Sequence, residues 1–293
     1  MNAERNILVP VDYSEVSKEM TQFADEWAQR TQAKLHILHA SPIPNVEYYP
    51  GRLERTSDRD DARELIQLSE FVKDLELKSP HDVMHLHGTP YLKILDAVES
   101  VQADLVIMAA HSHTLMGRIF LGSNTDYVVH HSHVPMYVYR KPGPKASKKL
   151  VVPIDLSESN REVLRRADET ARREELELQI LHVIQTVDYS YFGGEVHWAA
   201  GVEITADQAK QAVEDFVMPL NLQSTWQLVI KFGNSTYHPI IEHCEEVQPS
   251  LVMMAAHDHS VLGRLFLGSN TDYVLHHTQC PIYVHKQNSV MEA

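Results

Sequence analysis

Short apolar runs alternate with amphipathic segments along the chain. The first apolar run, residues 7–11, precedes a segment in which Val16, Met20, Phe23 and Trp27 recur at spacings of four, three and four residues. An uninterrupted apolar run is typical of a strand buried on both faces, and the second spacing places one apolar stripe along a helix. The pattern therefore opens with a strand followed by a helix.

This alternation occurs twice along the chain, as an internal repeat. Residues 109–140 align without a gap with residues 255–286, and 20 of the 32 aligned positions are identical. A repeat of this length suits a whole small domain rather than a solenoid unit. Each copy predicts five strands alternating with four helices, which indicates an α/β fold with a doubly wound parallel sheet.

The domain boundaries follow from the repeat. We expect a first domain over residues 1–141 and a second over residues 150–293. Between them, residues 142–149 are polar and rich in Pro, Gly and Lys, as is common in linkers.

Composition narrows the class of partner. The 293 residues are 43% hydrophobic and 23% charged, an ordinary globular balance, and the formal net charge is −14. A strongly acidic chain without a basic stripe argues against nucleic-acid binding. The sequence contains no apolar run long enough to span a membrane, and it opens without a signal-peptide pattern. With only two cysteines, it predicts a cytoplasmic protein without a disulfide framework.

Polar residues follow two strands of each copy. Asp12 and Asp155 end the first strands, while His111 and His257 follow the fourth. In doubly wound sheets, ligands bind beyond the carboxyl ends of strands at the point where the winding reverses. We therefore expect a ligand site between the first and fourth strands, although the two aspartates could equally serve only as helix caps.

The last helix of each copy begins after a Gly-Ser pair. Ser123 and Ser269 are predicted N-caps, and a helix N-terminus attracts anions through its backbone N–H groups.

Two His-x-His pairs raise a different possibility. His111 and His113, with their repeats His257 and His259, place two imidazoles on one side of the chain. Such a pair supplies half of a zinc site, but the neighbouring residues offer no cysteine. Metal binding thus stays open as an alternative.

Three local motifs resemble the universal stress protein family. They are the opening ILVPVDYS, the Gly-Thr-Pro before the third helix, and the Gly-Ser before the last helix. The resemblance covers the chain twice and implies the tandem type, with strand order 3-2-1-4-5 in each sheet. It also implies a cytoplasmic stress-response role, ATP or AMP binding, and pairing through the last strands. A tandem chain can make that pairing internally, as a pseudo-dimer, and could still form a homodimer of the tandem chain.

The resemblance also assigns a phosphate loop of the form G-x2-G-x9-G-S/T. Both leading glycines are replaced in both copies, by Ala109 and Ser112 and by Ala255 and Asp258, so we expect a degenerate nucleotide site. The Asp258 carboxylate would face the phosphates, which makes the first domain the better candidate. The candidate nucleotide-binding residues are Pro10, Val11, Asp12, Ala40, Ala109, Ser112, Gly122, Ser123 and Asn124, and, in the second domain, Pro153, Ile154, Asp155, Val183, Gly268, Ser269 and Asn270.

Three classes of function remain. The first is a non-catalytic stress-response module with a degenerate nucleotide site; the second is a metal- or small-ligand-binding stress sensor that uses the His-x-His loops. A nucleotide hydrolase has the least support, because no set of catalytic residues and no Walker-type lysine can be recognised. The aromatic segment from Tyr189 to Trp198 is the best place to look for a specific partner.

Overall fold

The computed structural model describes residues 5–42, 57–110, 121–186, 205–256 and 267–286. The chain divides into two compact units, Met1–Lys141 with Lys286–Ala293, and Pro142–His285. No helix in the described ranges is both long and apolar enough to cross a membrane.

The first unit is a five-stranded parallel sheet with four helices. The strand order is β3-β2-β1-β4-β5, so the predicted order 3-2-1-4-5 is confirmed. The elements are β1 (Asn6–Val11), α1 (Glu15–Thr31), β2 (Lys34–Ser41), α2 (Ser57–Lys73), β3 (His81–His87), α3 (Pro90–Ser100), β4 (Leu105–Ala109), α4 (Ser123–His131) and β5 (Met136–Tyr139).

The second unit repeats this architecture. Its parallel sheet runs β8-β7-β6-β9-β10, which is the same order counted within the unit. The elements are β6 (Ser147–Ile154), α5 (Glu158–Arg173), β7 (Glu177–Gln185), α6 (Ala206–Val217), a 3₁₀ turn (Met218–Leu220), β8 (Trp226–Gly233), α7 (Tyr237–Val247), β9 (Pro249–Ala255), α8 (Ser269–His277) and β10 (Ile282–His285).

Strand β6 begins earlier than the sequence predicts. Ser147 lies in the expected linker, yet its N–H donates to the carbonyl of Gln248 and it pairs with Pro249. The pairing shifts register before Leu150, where the apolar part of the strand begins. Backbone hydrogen bonding thus extends the strand beyond its apolar run.

The central strands and the first helix form the core of the first unit. Ile7 and Leu8 of β1 and Leu105 of β4 are completely buried, as expected for strands covered on both faces. Met20 and Trp27 of α1 are buried as well, so the predicted apolar stripe packs inward.

A buried carboxylate fixes the start of the third strand in each unit. Asp25 accepts hydrogen bonds from the backbone N–H groups of Lys78 and Ser79. Asp168 accepts from the N–H of Ser224 at 2.7 Å and from its hydroxyl at 2.6 Å. Each contact ties the residues before β3 or β8 to the first helix of the unit, α1 or α5.

Candidate ligand site

The turn after β1 is organised around the Asp12 carboxylate. Its Oδ1 accepts hydrogen bonds from the hydroxyls of Ser14 and Ser17, at 2.6 and 2.5 Å, and from the N–H of Ser14. Ser14 is the N-cap of α1, so Asp12 supports the cap without being the cap residue. In the second unit, Asp155 likewise accepts from the N–H of the N-cap residue Ser157.

The residue after each aspartate has a left-handed backbone. Tyr13 has φ 62° and Leu156 has φ 64°, although neither is glycine. This conformation costs roughly 1–2 kcal/mol for an L-residue. Strained backbone of this kind is found at ligand sites more often than elsewhere, and both units keep it at the same place.

The last helix of each unit begins next to the carboxyl end of the fourth strand. Thr125 donates its hydroxyl to the carbonyl of Ala109 at 2.9 Å, and Thr271 donates to Ala255 at the same distance. Sequence reasoning did not identify these threonines, although both lie in the repeated Ser-Asn-Thr-Asp segment. The bonds hold the helix N-terminus at the edge of the sheet where a ligand is expected.

Ser123 and Ser269 are not N-caps, so that prediction was wrong. Gly122 and Gly268 occupy the cap positions with extended backbone, and each serine is the first residue of its helix. Neither helix has a side-chain hydrogen bond at its N-cap within the described residues. The first-turn N–H groups of a helix are the kind of donor that binds an anion.

A cleft in the second unit brings many of the predicted residues together. It measures about 40 Å³, which is room for a few water molecules. The strands β6, β7 and β9 and the helices α5, α7 and α8 supply its walls. Its lining includes the predicted residues Pro153, Ile154, Asp155, Val183 and Asn270, together with Ala255, Thr271, Asn160, Leu181, Thr236, Ile240 and Met254.

The remaining predicted residues have clear positions where they are described. Pro10 and Val11 end β1, Ala40 lies in β2, and Ala109 ends β4. Asn124 follows Ser123 in α4. Ser112, Asp258, the four His-x-His residues (His111, His113, His257 and His259) and the segment from Tyr189 to Trp198 lie outside the described residues.

A second polar group lies at the ends of β2 and β3 in the first unit. His39 and His85 are direct neighbours in the parallel register, with ring centroids 5.7 Å apart and planes 16° from parallel. His39 donates from Nδ1 to the carbonyl of Val11 at 2.9 Å. Its Nε2 lies 3.9 Å from Oε2 of Glu64 on α2. The structure thus joins residues that sequence reasoning had not associated.

Neighbouring side chains complete this group. The Ser41 hydroxyl lies 2.9 Å from Nε2 of His85 and 3.1 Å from Nδ1 of His87. The Tyr13 ring packs against His39, with centroids 4.2 Å apart. Burial and the nearby Glu64 carboxylate raise the pKa of the Tyr13 phenol to about 12.

Comparison with known proteins identifies the family. A sequence model of the universal stress protein family matches residues 4–140 and again residues 146–286. The chain belongs to the universal stress protein family. The double match confirms the tandem arrangement predicted from the repeat.

Two relatives each align with about half of this universal stress protein. A universal stress protein of Methanocaldococcus jannaschii is 27% identical over 146 residues, covering 48% of this chain and 85% of the relative. Universal stress protein A homolog 1 of Coxiella burnetii is 30% identical over 142 residues, covering 46% and 93%. A solved universal stress protein of Archaeoglobus fulgidus, 18% identical, superposes with a TM-score of 0.68 over 96% of this chain and 98% of its own, which shows a shared fold.

Proposed function

We propose that this protein is a cytoplasmic, non-catalytic stress-response module that binds an adenine nucleotide, ATP or AMP, at a degenerate site. The observation that carries the proposal is the sheet edge that both units build alike, where the Thr125 and Thr271 hydrogen bonds hold the last helix against the fourth strand. In the second unit, five of the candidate residues, from two strands, one helix and the turn after β6, line one small cleft at this edge. Parallel α/β sheets bind ligands at this edge, and membership of the family supports the same ligand class.

The first unit has the same framework for a nucleotide. The Thr125 and Thr271 hydrogen bonds match at 2.9 Å, and Tyr13 and Leu156 share the left-handed turn. We infer that the two sites differ mainly in the loop after the fourth strand, where Ser112 corresponds to Asp258. A carboxylate about 4 Å from a phosphate charge is repelled by about 4 kcal/mol at the effective dielectric of a protein surface. That energy is about a thousandfold in affinity and favours the first domain.

Calorimetric titration of the full chain with ATP and AMP tests the proposal. We expect one weak equivalent per chain, removed by Ala40→Trp, which fills the first site. Val183→Trp fills the second site and is the matched control, because both positions are partly buried. Asp258→Gly should add a second binding equivalent.

Two results would contradict this arrangement. Nucleotide binding that survives both tryptophan variants would place the ligand elsewhere. Tight binding to the unmodified second domain, unchanged by Asp258→Gly, would show that this loop does not face the phosphates.

We also propose that the final strands of the two units pair with each other, making the chain a pseudo-dimer. Within each unit, β5 or β10 is the last strand in the order of the sheet. An unpaired edge strand invites association with other chains, so pairing the two edges internally removes that hazard. The tandem organisation supports the same arrangement.

A further inference from the structure

We propose that the first unit carries a transition-metal site made of His39, Glu64 and His85, with Zn²⁺ as the ion that fits best. One potential ligand atom from each residue lies within 4.8 Å of the other two. The site lies at the ends of β2 and β3, and it uses none of the His-x-His residues. None of its three ligands is a candidate nucleotide-binding residue, although His39 donates to the carbonyl of Val11 and precedes Ala40.

The donor set suits zinc. Two imidazoles and one carboxylate are a known ligand set for Zn²⁺, which then keeps a fourth position for water or a ligand. With bonds of roughly 2.0–2.2 Å, tetrahedral ligand atoms lie about 3.3–3.5 Å apart. Nε2 of His39 and Oε2 of Glu64 are 3.9 Å apart, and all three ligand atoms lie within 4.8 Å of one another, so the side chains must rotate to close around an ion.

Hydrogen bonds already orient the rings as metal ligands require. His39 donates Nδ1–H to the Val11 carbonyl, which leaves the lone pair on Nε2, the atom nearer Glu64. A metal-binding histidine almost always makes such a bond through its other nitrogen. The Ser41 hydroxyl contacts Nε2 of His85 and restrains that ring.

The surroundings of His39 and Glu64 favour the binding of a cation. The side chain of His39 is 15% exposed and that of Glu64 is 33% exposed, so both are partly removed from water. A carboxylate that is partly removed from water is stabilised by a cation beside it. A divalent ion would provide that compensation.

The second unit supplies an internal comparison. His182 donates Nδ1–H to the Ile154 carbonyl at 2.9 Å, as His39 does to Val11. Its neighbour in the register is Ile230, where the first unit has His85. The histidine–carbonyl bond is therefore common to both copies and has a structural role. The second imidazole belongs to the first unit alone.

Zinc titration of the full-length protein against a chromophoric chelator tests the site. We expect wild-type protein to bind one equivalent, with His85→Gln or Glu64→Gln weakening it by more than about a hundredfold, since even removing an orienting partner costs 10–100-fold. His182→Gln is the matched control and should leave the affinity within about twofold, a change of at most about 0.4 kcal/mol. The double variant His111→Gln/His113→Gln should also leave this equivalent intact.

A second variant separates metal binding from folding. His85→Ile copies the residue of the second unit, so it should fold with similar packing. Zinc should raise the Tm of wild-type protein and leave that of His85→Ile unchanged, because binding to the native state alone stabilises it. Affinity retained in His85→Gln, or lost equally in His182→Gln, would overturn the proposal. Loss of the equivalent in the His111→Gln/His113→Gln variant would assign the metal to the His-x-His loop instead.

Discussion

At the scale of single residues, His243 links burial to acid sensitivity. Its side chain is buried in α7, and Nε2 lies 3.0 Å from Oε1 of Gln179. Burial lowers the pKa of His243 below its ordinary value of 6.5, and Lys231 lowers it further, against the opposing effect of Glu246. The unfolded chain therefore binds this proton more readily than the folded one, so the contribution of His243 to stability is present above pH 6.5 and lost as pH falls below it.

Comparing unfolding free energies across that pH range checks this prediction. The free energy of unfolding of wild-type protein should decline more steeply on acidification than that of His243→Gln, whose amide can still donate to Gln179. His238→Gln changes an exposed histidine of the same helix and serves as control. A His243→Gln profile as steep as that of wild type would show that this imidazole does not control the acid response.

At the scale of elements, the Asp168 carboxylate connects α5 to the approach to β8. It accepts two backbone N–H bonds and the Ser224 hydroxyl, all on Oδ1. Hydrogen bonds to charged groups contribute about 1.5–3 kcal/mol, so Asp168→Ala should lower the free energy of unfolding by about that amount or more. Asp25→Ala, at the equivalent position of the first unit, should have a similar effect.

Urea unfolding of the full chain measures this effect. Asp168→Asn keeps an acceptor oxygen and should lose less than Asp168→Ala. Asp215→Ala removes an exposed aspartate of α6 and should change stability by no more than about 0.5 kcal/mol. Equal losses in the Asp168→Ala and Asp215→Ala variants would contradict the role given to the buried carboxylate.

At the scale of the whole molecule, the testable feature is the proposed pairing of β5 with β10. In a background without Cys244 and Cys280, a cysteine at Val138 combined with one at Tyr283 or Val284 should form a disulfide in one of the two registers. The reason is that directly opposed strand residues have Cα atoms about 4.5–5.5 Å apart, within disulfide reach. Electrophoresis without reductant would detect the cross-link within a single chain.

A cysteine at Val138 combined with one at Val229 is the control for that experiment. Val229 lies in β8, at the opposite end of the second sheet from β10. It should therefore not cross-link. Cross-linking at Val229 as efficient as at both Tyr283 and Val284, or no cross-link in either register, would contradict the pairing.

The architecture could be predicted because its signals are local or repeated. Uninterrupted apolar runs specify buried strands, and the duplication provides a second copy of every element. Asp12 and Asp155 could be located because the end of a strand is visible in the sequence. The helix cap shifted by one residue, from Ser123 to Gly122, because it depends on backbone angles that residue type alone does not determine.

The contacts among His39, Glu64 and His85 could not be predicted, because they depend on information that a sequence alone does not carry. His39 meets His85 only because β2 and β3 adopt one particular parallel register, and Glu64 joins them from a helix on another part of the chain. A shift of one residue in that register would have moved His85 to the other face of the sheet. Contacts of this kind arise from tertiary packing.

Ile230 occupies the position in the second unit that His85 occupies in the first. This difference shows how the two halves of such a protein can diverge. A homodimer built from identical chains must present every substitution twice, so its two sites are bound to remain alike. In a fused pair, one half can lose or gain a ligand group while the other keeps its own. The fusion therefore breaks symmetry at the genetic level, and a single polypeptide can offer two different chemistries in a fixed one-to-one ratio.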